Sequence, residues 1–205
     1  MNPEDSMIPR IPLGTWVDDG FDWLKDNVSW LFDAFRALMN FLVGNLTDLL
    51  MLVPALAMIP IFALIALTLR SWKLAVGTVI GFALVLSMDQ WETMIQTMAL
   101  VLVATVFAVV IAVPLGILAA VNNTVSALVK PVMDFMQTMP AFVYLIPAVT
   151  FFSIGVVPGI FSTIIFALPP GVRMTELGIR QVDAETVEAG EAFGATRGQI
   201  GRAHV

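Results

Sequence analysis

Five long apolar stretches constrain this chain more than any other feature of its sequence. Residues 49–69, 71–88, 99–121, 135–155 and 156–172 carry no charged side chain in their interiors. A helix needs about 20 apolar residues to cross the hydrocarbon core of a bilayer, and it must satisfy its own backbone hydrogen bonds there. The sequence therefore predicts an all-α, polytopic membrane protein with about five spans, forming a helical bundle over residues 44–173.

The composition excludes several classes of function. Of the 205 residues, 59% are hydrophobic and the net charge is −6, so there is no basic surface to bind nucleic acid. The chain has no cysteine and one histidine, His204, close to its end. Thiol nucleophiles, cysteine-ligated metals and histidine acid–base chemistry are therefore not expected.

The first 43 residues differ from the spans that follow. Residues 1–20 lack the basic start and apolar core of a signal peptide, and the loop charges described below place them outside, so they are expected to form an external tail. Residues 21–43 predict an amphipathic helix, with an apolar stripe formed by Leu24, Val28, Leu31, Phe35, Leu38 and Leu42. This stripe can lie in the outer membrane interface or pack on the other spans.

The short loops predict the orientation of the chain. Arg70 and Lys73 lie at the junction of spans one and two, with Lys73 in the first turn of span two. Lys130 lies between spans three and four, and Arg173 and Arg180 follow span five. The alternate loops contain no base, and basic loops accumulate on the cytoplasmic side. The N-terminus is therefore predicted outside the cell and the C-terminal segment inside it.

The spans carry prolines rather than charges. Ion-coupled carriers usually hold an ionisable residue within a span, so another subunit is expected to supply the energy for any transport. Prolines 54, 60, 114, 140, 147, 169 and 170 are expected to kink or break helices, which can line a path. For Pro54 and Pro60 we favour the simpler interpretation that proline is more frequent in membrane helices than in soluble ones. The fourth span combines Gln137, Thr138, Pro140, Tyr144 and Pro147, which are candidates to line a pathway or to bond neighbouring helices.

A short polar helix is predicted after the last span. Asp183 suits the position before a helix, and Gly194 suits a left-handed residue just after one. Glu185, Glu188 and Glu191 recur at three-residue steps, which forms either an acidic docking stripe or a solvated face. Such a helix, too polar to span, is a suitable contact for a soluble partner.

Here the chain resembles the membrane permeases of bacterial ABC importers. Their cytoplasmic signature is Glu-Ala-Ala, three residues, Gly, nine residues and Ile-x-Leu-Pro. Glu188, Ala189 and Gly194 match it, and Gly190 replaces the second alanine. The runs "MQTMPAFVYLIPAV" and "FALPPGVRMTELGIRQV" are similar to the glycine betaine/proline (quaternary ammonium) branch, and the likeness covers roughly residues 11–199.

The resemblance implies the type I ABC importer permease fold and transport by alternating access. It places an ATPase-coupling helix in the cytoplasmic region 174–199, carried by Glu188, Ala189, Gly190, Glu191 and Gly194. Implied partners are a nucleotide-binding ATPase, an external substrate-binding protein, a second permease copy and membrane lipid. ATP and Mg²⁺ would belong to the ATPase, since this chain lacks a GxxxxGK[ST] loop. Implied solutes are glycine betaine, proline or a related osmolyte such as choline, carried across the bacterial inner membrane.

The last residues depart from the family pattern. Position 204 is histidine where the signature has isoleucine, and Leu-Pro does not follow. Residues 200–205, "IGRAHV", can be encoded by ATC GGA AGA GCA CAC GTC, which resembles a sequencing-library adapter read in frame. We therefore expect that the natural sequence departs from this one near Gln199 and continues. An ATPase-independent channel, a structural membrane protein and a non-transporting fragment are the alternative functions.

Overall fold

A computed structural model describes residues 12–195, which form eight helices. They are α1 (Leu13–Met51), α2 (Ala55–Leu69), α3 (Trp72–Ser87), α4 (Trp91–Val121), α5 (Asn123–Thr138), α6 (Ala141–Phe152), α7 (Val156–Arg180) and α8 (Ala184–Ala192). No strand occurs in residues 12–195, and the predicted all-α class is confirmed. Residues 1–11 of the predicted external tail, and the predicted artefact at 200–205 with His204, lie outside the described residues, whereas residues 13–20 of that tail begin α1.

Helix α1 is longer than predicted, and only part of its predicted apolar stripe packs on the bundle. It is continuous over 39 residues, so the helix predicted for 21–43 is only its middle part. Met39 and Val43 are fully buried, and Phe32, Phe35, Leu42 and Leu46 pack around the same core. Of the predicted stripe, Phe35 and Leu42 thus pack on the bundle, whereas Leu31 and Leu38 are 49% and 45% exposed, so only part of the stripe contacts the other helices. The C-terminal half of α1 thus packs on the bundle because its aromatic residues meet α6 and α7.

The first predicted span does not form one continuous helix. Its helical course is interrupted at Leu52–Pro54, and α1 and α2 meet there at 95°. Pro54 has an extended conformation and precedes α2, because a proline in a helix interior cannot donate the backbone bond. Pro60 by contrast lies inside α2 without ending it. Helix α2 then packs against α3, with the rings of Phe62 and Phe82 5.3 Å apart.

Helices α4 and α7 form the centre of the bundle. The packed face of α4 carries small residues at nearly every fourth position: Ala104, Ala108, Ala112, Gly116 and Ala119. Small side chains let two membrane helices approach closely, which replaces the hydrophobic driving force that lipid does not provide. Pro114 in α4 and Pro169 and Pro170 in α7 lie inside continuous helices. These three prolines therefore do not break their helices.

The predicted fourth span is also divided. Residues 135–138 end α5, and Met139 and Pro140 are extended before α6 begins, with 95° between the two helices. A residue before proline is driven out of the helical region by the proline ring, which accounts for the break after Thr138. Pro147 lies within α6. The predicted span 135–155 is thus two helices at a bend rather than one.

The helices allow between two and four membrane crossings by length and composition. Trp91–Val121 and Val156–Arg180 are each long and apolar enough to cross, and each bent pair can supply one more. Trp72–Ser87 is apolar, but its 16 residues reach only about 24 Å. The count of five spans and the external N-terminus remain predictions.

Candidate functional site

A buried carboxylate joins α5 to the C-terminal half of α7. Glu176 is only 5% exposed, and its Oε1 accepts a hydrogen bond from the Ser126 hydroxyl at 2.7 Å. The same oxygen lies 2.9 Å from Arg180 Nε and 3.3 Å from Lys130 Nζ. A buried carboxylate is strongly unfavourable without such partners. The arrangement therefore fixes the relative position of the two helices, which are 50 residues apart in sequence at this contact.

Arg180 extends this contact to the end of α4. Its Nη2 donates to the Ala119 carbonyl at 2.8 Å and to Asn123 Oδ1 at 3.0 Å. The carbonyls of a helix's last turn have no partner within the helix, so an arginine there satisfies one of them. Asn122, between α4 and α5, accepts bonds from the amides of Thr124 and Val125 and caps α5. One arginine thus fixes the α4–α5 corner to the last turn of α7.

A second ion pair and a cavity complete the cluster. Arg173 of α7 pairs with Asp134 of α5. A cavity of about 360 Å³ is lined by Lys130, Asp134, Arg173, Glu176, Leu177 and Arg180. Within residues 12–195, no group of acidic, histidine or cysteine side chains is arranged to hold a metal ion. The cluster is therefore an ion-pair network that connects helices.

The sequence analysis identified three basic residues of this cluster but did not predict that they form a network with Glu176. Lys130, Arg173 and Arg180 entered only as loop charges for the orientation, and Glu176 and Ser126 were not singled out. Glu176 lies between Arg173 and Arg180 at the end of an apolar helix, and this pattern could have indicated an ion pair. Its partner on α5 could not be identified, because the contact depends on how α5 folds back on α7.

The predicted pathway residues cluster at the α5–α6 bend. Gln137, Thr138 and Pro140 are exposed, and Tyr144 is half-buried. The Tyr144 hydroxyl donates to the Met136 carbonyl at 2.5 Å, which ties α6 back to the last turn of α5. Thr138 donates to the Phe135 carbonyl of its own helix at 2.8 Å. The structure thus brings four of the five candidates to one corner. The Tyr144 bond agrees with the expectation that these residues bond neighbouring helices, which was the alternative to lining a pathway.

Pro147 lies elsewhere. It lines a cavity of about 220 Å³ between α6 and the first half of α1, together with Phe21, Lys25 and Thr150. A separate cavity of about 190 Å³, largely apolar, lies between α6 and α7 and includes Leu145 and Ser162. The buried Ser162 hydroxyl has no hydrogen-bond partner among the described residues. Ser162 was missed by sequence reasoning because a lone serine in an apolar span carries no pattern.

Four of the five predicted coupling residues lie on α8, which begins after the three residues 181–183 that follow α7, and Gly194 lies two residues beyond the end of α8. Glu188 and Ala189 are exposed, Gly190 is half-buried, and Glu191 lies in the same helix. Asp183 directly precedes the helix, and Gly194 has a φ of +76°, the left-handed conformation that glycine favours. Phe193, at the end of the helix, is 92% exposed. The segment is therefore a short polar helix with accessible acidic and aromatic groups.

Comparison with known families gives one match, over the C-terminal part of the chain. Residues 112–205 match the binding-protein-dependent transport system inner membrane component. This region contains the end of α4, helices α5 to α8, the Glu176 cluster and the α5–α6 bend.

Individual relatives match over nearly the whole chain. The glycine betaine transport system permease protein OpuAB of Bacillus subtilis is 44% identical over 94% of this chain and 68% of its own length. The glycine betaine/proline betaine transport system permease protein ProW of Escherichia coli is 41% identical over 93% of this chain and 54% of its own length. The trimethylamine N-oxide transport system permease protein TmoV of Ruegeria pomeroyi is 35% identical over 96% of this chain and 31% of its own length. This chain thus spans about two thirds of the first relative and about half of the second.

Proposed function

Because this chain belongs to the glycine betaine branch of the ABC importer permeases, multi-pass proteins of the bacterial inner membrane, we propose that it carries a small osmolyte into the cell. The protein is a transporter subunit, and its family works with a separate ATPase and a substrate-binding protein. The proposed solute is glycine betaine, proline or a related quaternary ammonium compound such as choline. ATP and Mg²⁺ would be bound by the ATPase alone.

Helix α8 is the observation that carries the proposal. It follows the last turn of α7 after three residues, and it exposes Glu188, Ala189 and Phe193. A short helix with an exposed aromatic residue and an exposed acid offers both an anchor and a charge for a soluble partner. We propose that α8 is the coupling helix, that it contacts the ATPase through Glu188, Ala189, Gly190, Glu191 and Gly194, and that it lies in the cytoplasm.

The α5–α6 bend is the proposed wall of the solute pathway. Gln137, Thr138 and Pro140 are exposed at this corner in the single chain, and a polar side chain such as that of Gln137 needs a polar partner or water within a membrane. A second permease copy facing this corner would enclose them, with lipid around the pair. Tyr144 would contribute one aromatic ring, and a single ring cannot enclose a quaternary ammonium group. Selection among solutes is therefore assigned mainly to the binding protein.

Reconstitution into lipid vesicles tests this function. The permease, its ATPase and its binding protein are reconstituted with ATP in the lumen, and uptake of labelled glycine betaine is measured with proline and choline as competitors. We expect uptake that requires both ATP and the binding protein. Uptake that persists without ATPase would identify a channel, and no uptake under any condition would contradict a transport function.

A charge reversal on α8 tests the docking assignment. Glu188→Lys should reduce ATPase binding and uptake while the protein inserts normally. The ATPase is expected to place a basic side chain opposite Glu188, and a lysine at position 188 would repel it. Asp26→Lys, at an exposed position of α1, is the matched reversal and should leave both unchanged. Unchanged uptake by Glu188→Lys would contradict the assignment of α8.

A further inference from the structure

The carboxylate of Glu176 holds the end of α7 to α5. Helix α7 leads to α8, the proposed ATPase contact, and α5 leads to the α5–α6 bend, the proposed wall of the solute pathway. After Arg180, only residues 181–183 separate α7 from α8. From Ser126, α5 runs about 18 Å to Thr138 and the bend before α6. A direct physical connection therefore runs from α8 through Glu176 to the α5–α6 bend.

The contacts along this connection are directional. One oxygen of Glu176 is contacted by Ser126 at 2.7 Å, Arg180 at 2.9 Å and Lys130 at 3.3 Å. Apolar packing tolerates sliding, but hydrogen bonds weaken steeply when their distance and angle change. A displacement of the last turn of α7 would therefore be passed to the first turns of α5.

The surrounding contacts attach α5 to α7 at several points. The buried Met133 of α5 packs with Ala112 of α4 and Val172 of α7. Asp134 and Arg173, which directly follow Met133 and Val172 in sequence, form an ion pair that joins the same two helices. Arg180 fixes the start of α5 through Asn123. Helix α5 is thus attached to α7 at both ends of their contact, whereas the bend at Met139 and Pro140 is the next point where the chain can change direction.

We propose that Glu176 is a positioning residue for transport, which couples movement of α8 to the α5–α6 bend through Ser126 and Lys130. The proposal rests on the proposed function, since it assigns the route by which ATP-driven movement reaches the pathway. Loss of the Glu176 contacts would leave the rate of ATP hydrolysis unchanged but lower the number of solute molecules taken up per ATP hydrolysed.

The test is the number of solute molecules taken up per ATP hydrolysed in the reconstituted vesicles. Ser126→Ala and Lys130→Gln each remove one partner of Glu176 with little change in volume or burial, and Glu176→Gln removes its charge. We expect the ratio to fall about threefold or more in these variants, within the range that residues along a coupling route produce. Ser126→Thr keeps the hydroxyl and should retain most of the ratio. Asp22→Asn, in the exposed Lys25–Asp22 pair, is the matched control and should leave it unchanged.

The outcomes separate a coupling role from a structural one. If uptake and hydrolysis fall together, in proportion to the amount of assembled complex, Glu176 only stabilises the fold and the proposal is overturned. If the ratio in Ser126→Ala and Lys130→Gln equals that of the wild type, the proposal is overturned while the importer function stands. If the wild type itself shows no ATP-dependent uptake, the proposed function fails and this proposal fails with it.

Discussion

Gly116 of α4 and Thr175 of α7 lie so close together that a Cβ atom on Gly116 would be 2.5 Å from Thr175 Cβ. The same atom would lie 2.8 Å from the Val172 carbonyl oxygen. Since a backbone oxygen cannot rotate away, the two helices would have to separate. Glycine is therefore required at this position by the approach of two backbones.

Gly116→Ala should lower the free energy of unfolding by about 1–3 kcal/mol, the usual cost of overfilling a packed interface. The measurement is unfolding of the purified protein in detergent. Gly77→Ala is the matched control, because no atom outside its own helix lies within 4 Å and alanine is the better helix former. An equal effect of the two substitutions would contradict the close approach of α4 and α7.

Phe152 should anchor α1 to the α6–α7 corner. It is 4% exposed, and its ring centroid lies 5.6 Å from that of Phe32, 5.3 Å from that of Phe35 and 5.2 Å from that of Phe161. Phe152→Ala should reduce stability by about 3 kcal/mol, because the cavity left between three helices cannot close fully.

The control for this prediction is Phe142→Ala, since Phe142 is 80% exposed in the single chain. Both variants are compared by thermal unfolding in detergent and by protease cleavage within α1. The Phe152 variant should unfold at a lower temperature and expose α1 to cleavage. A larger loss in the Phe142 variant would show that the aromatic cluster does not hold α1.

The bond between Tyr144 and the Met136 carbonyl should stabilise the α5–α6 bend. Tyr144→Phe removes only the hydroxyl and leaves a helix-terminal carbonyl without that partner, which should cost about 1 kcal/mol. Thr138→Val removes a hydroxyl that bonds within its own helix, so a smaller effect is expected. Hydrogen exchange of residues 136–144 should rise in the tyrosine variant. Unchanged exchange would mean that the bend is held without this bond.

The sequence predicts the helical class because long apolar segments have few alternatives in a membrane. It predicts where α4 ends, at residue 121, but the helix begins at Trp91, eight residues before the predicted span 99–121. It does not predict which prolines break a helix. Pro54 and Pro140 begin new helices, whereas Pro114 and Pro147 lie inside theirs, and this depends on whether neighbouring helices compensate for the missing backbone bond.

The buried face of α1 and the Glu176 cluster could not be predicted from the sequence either, because both depend on how distant helices pack together. Periodicity gives several possible apolar faces on α1, and the aromatic rings of α6 and α7 select the one with Phe32, Phe35 and Met39. Ser126 and Glu176 are likewise brought together only when α5 packs on α7. Local patterns identify helices, but they do not contain the pairing of distant residues.

Labelling of a single cysteine at position 188 tests the central assignment most directly, because the chain contains no cysteine of its own. Glu188→Cys is treated with a membrane-impermeant maleimide in intact cells and in inverted vesicles, with and without the ATPase subunit. We predict labelling only in inverted vesicles, and protection when the ATPase is bound. Labelling in intact cells, or the same labelling with and without the ATPase, would contradict α8 as the cytoplasmic coupling helix.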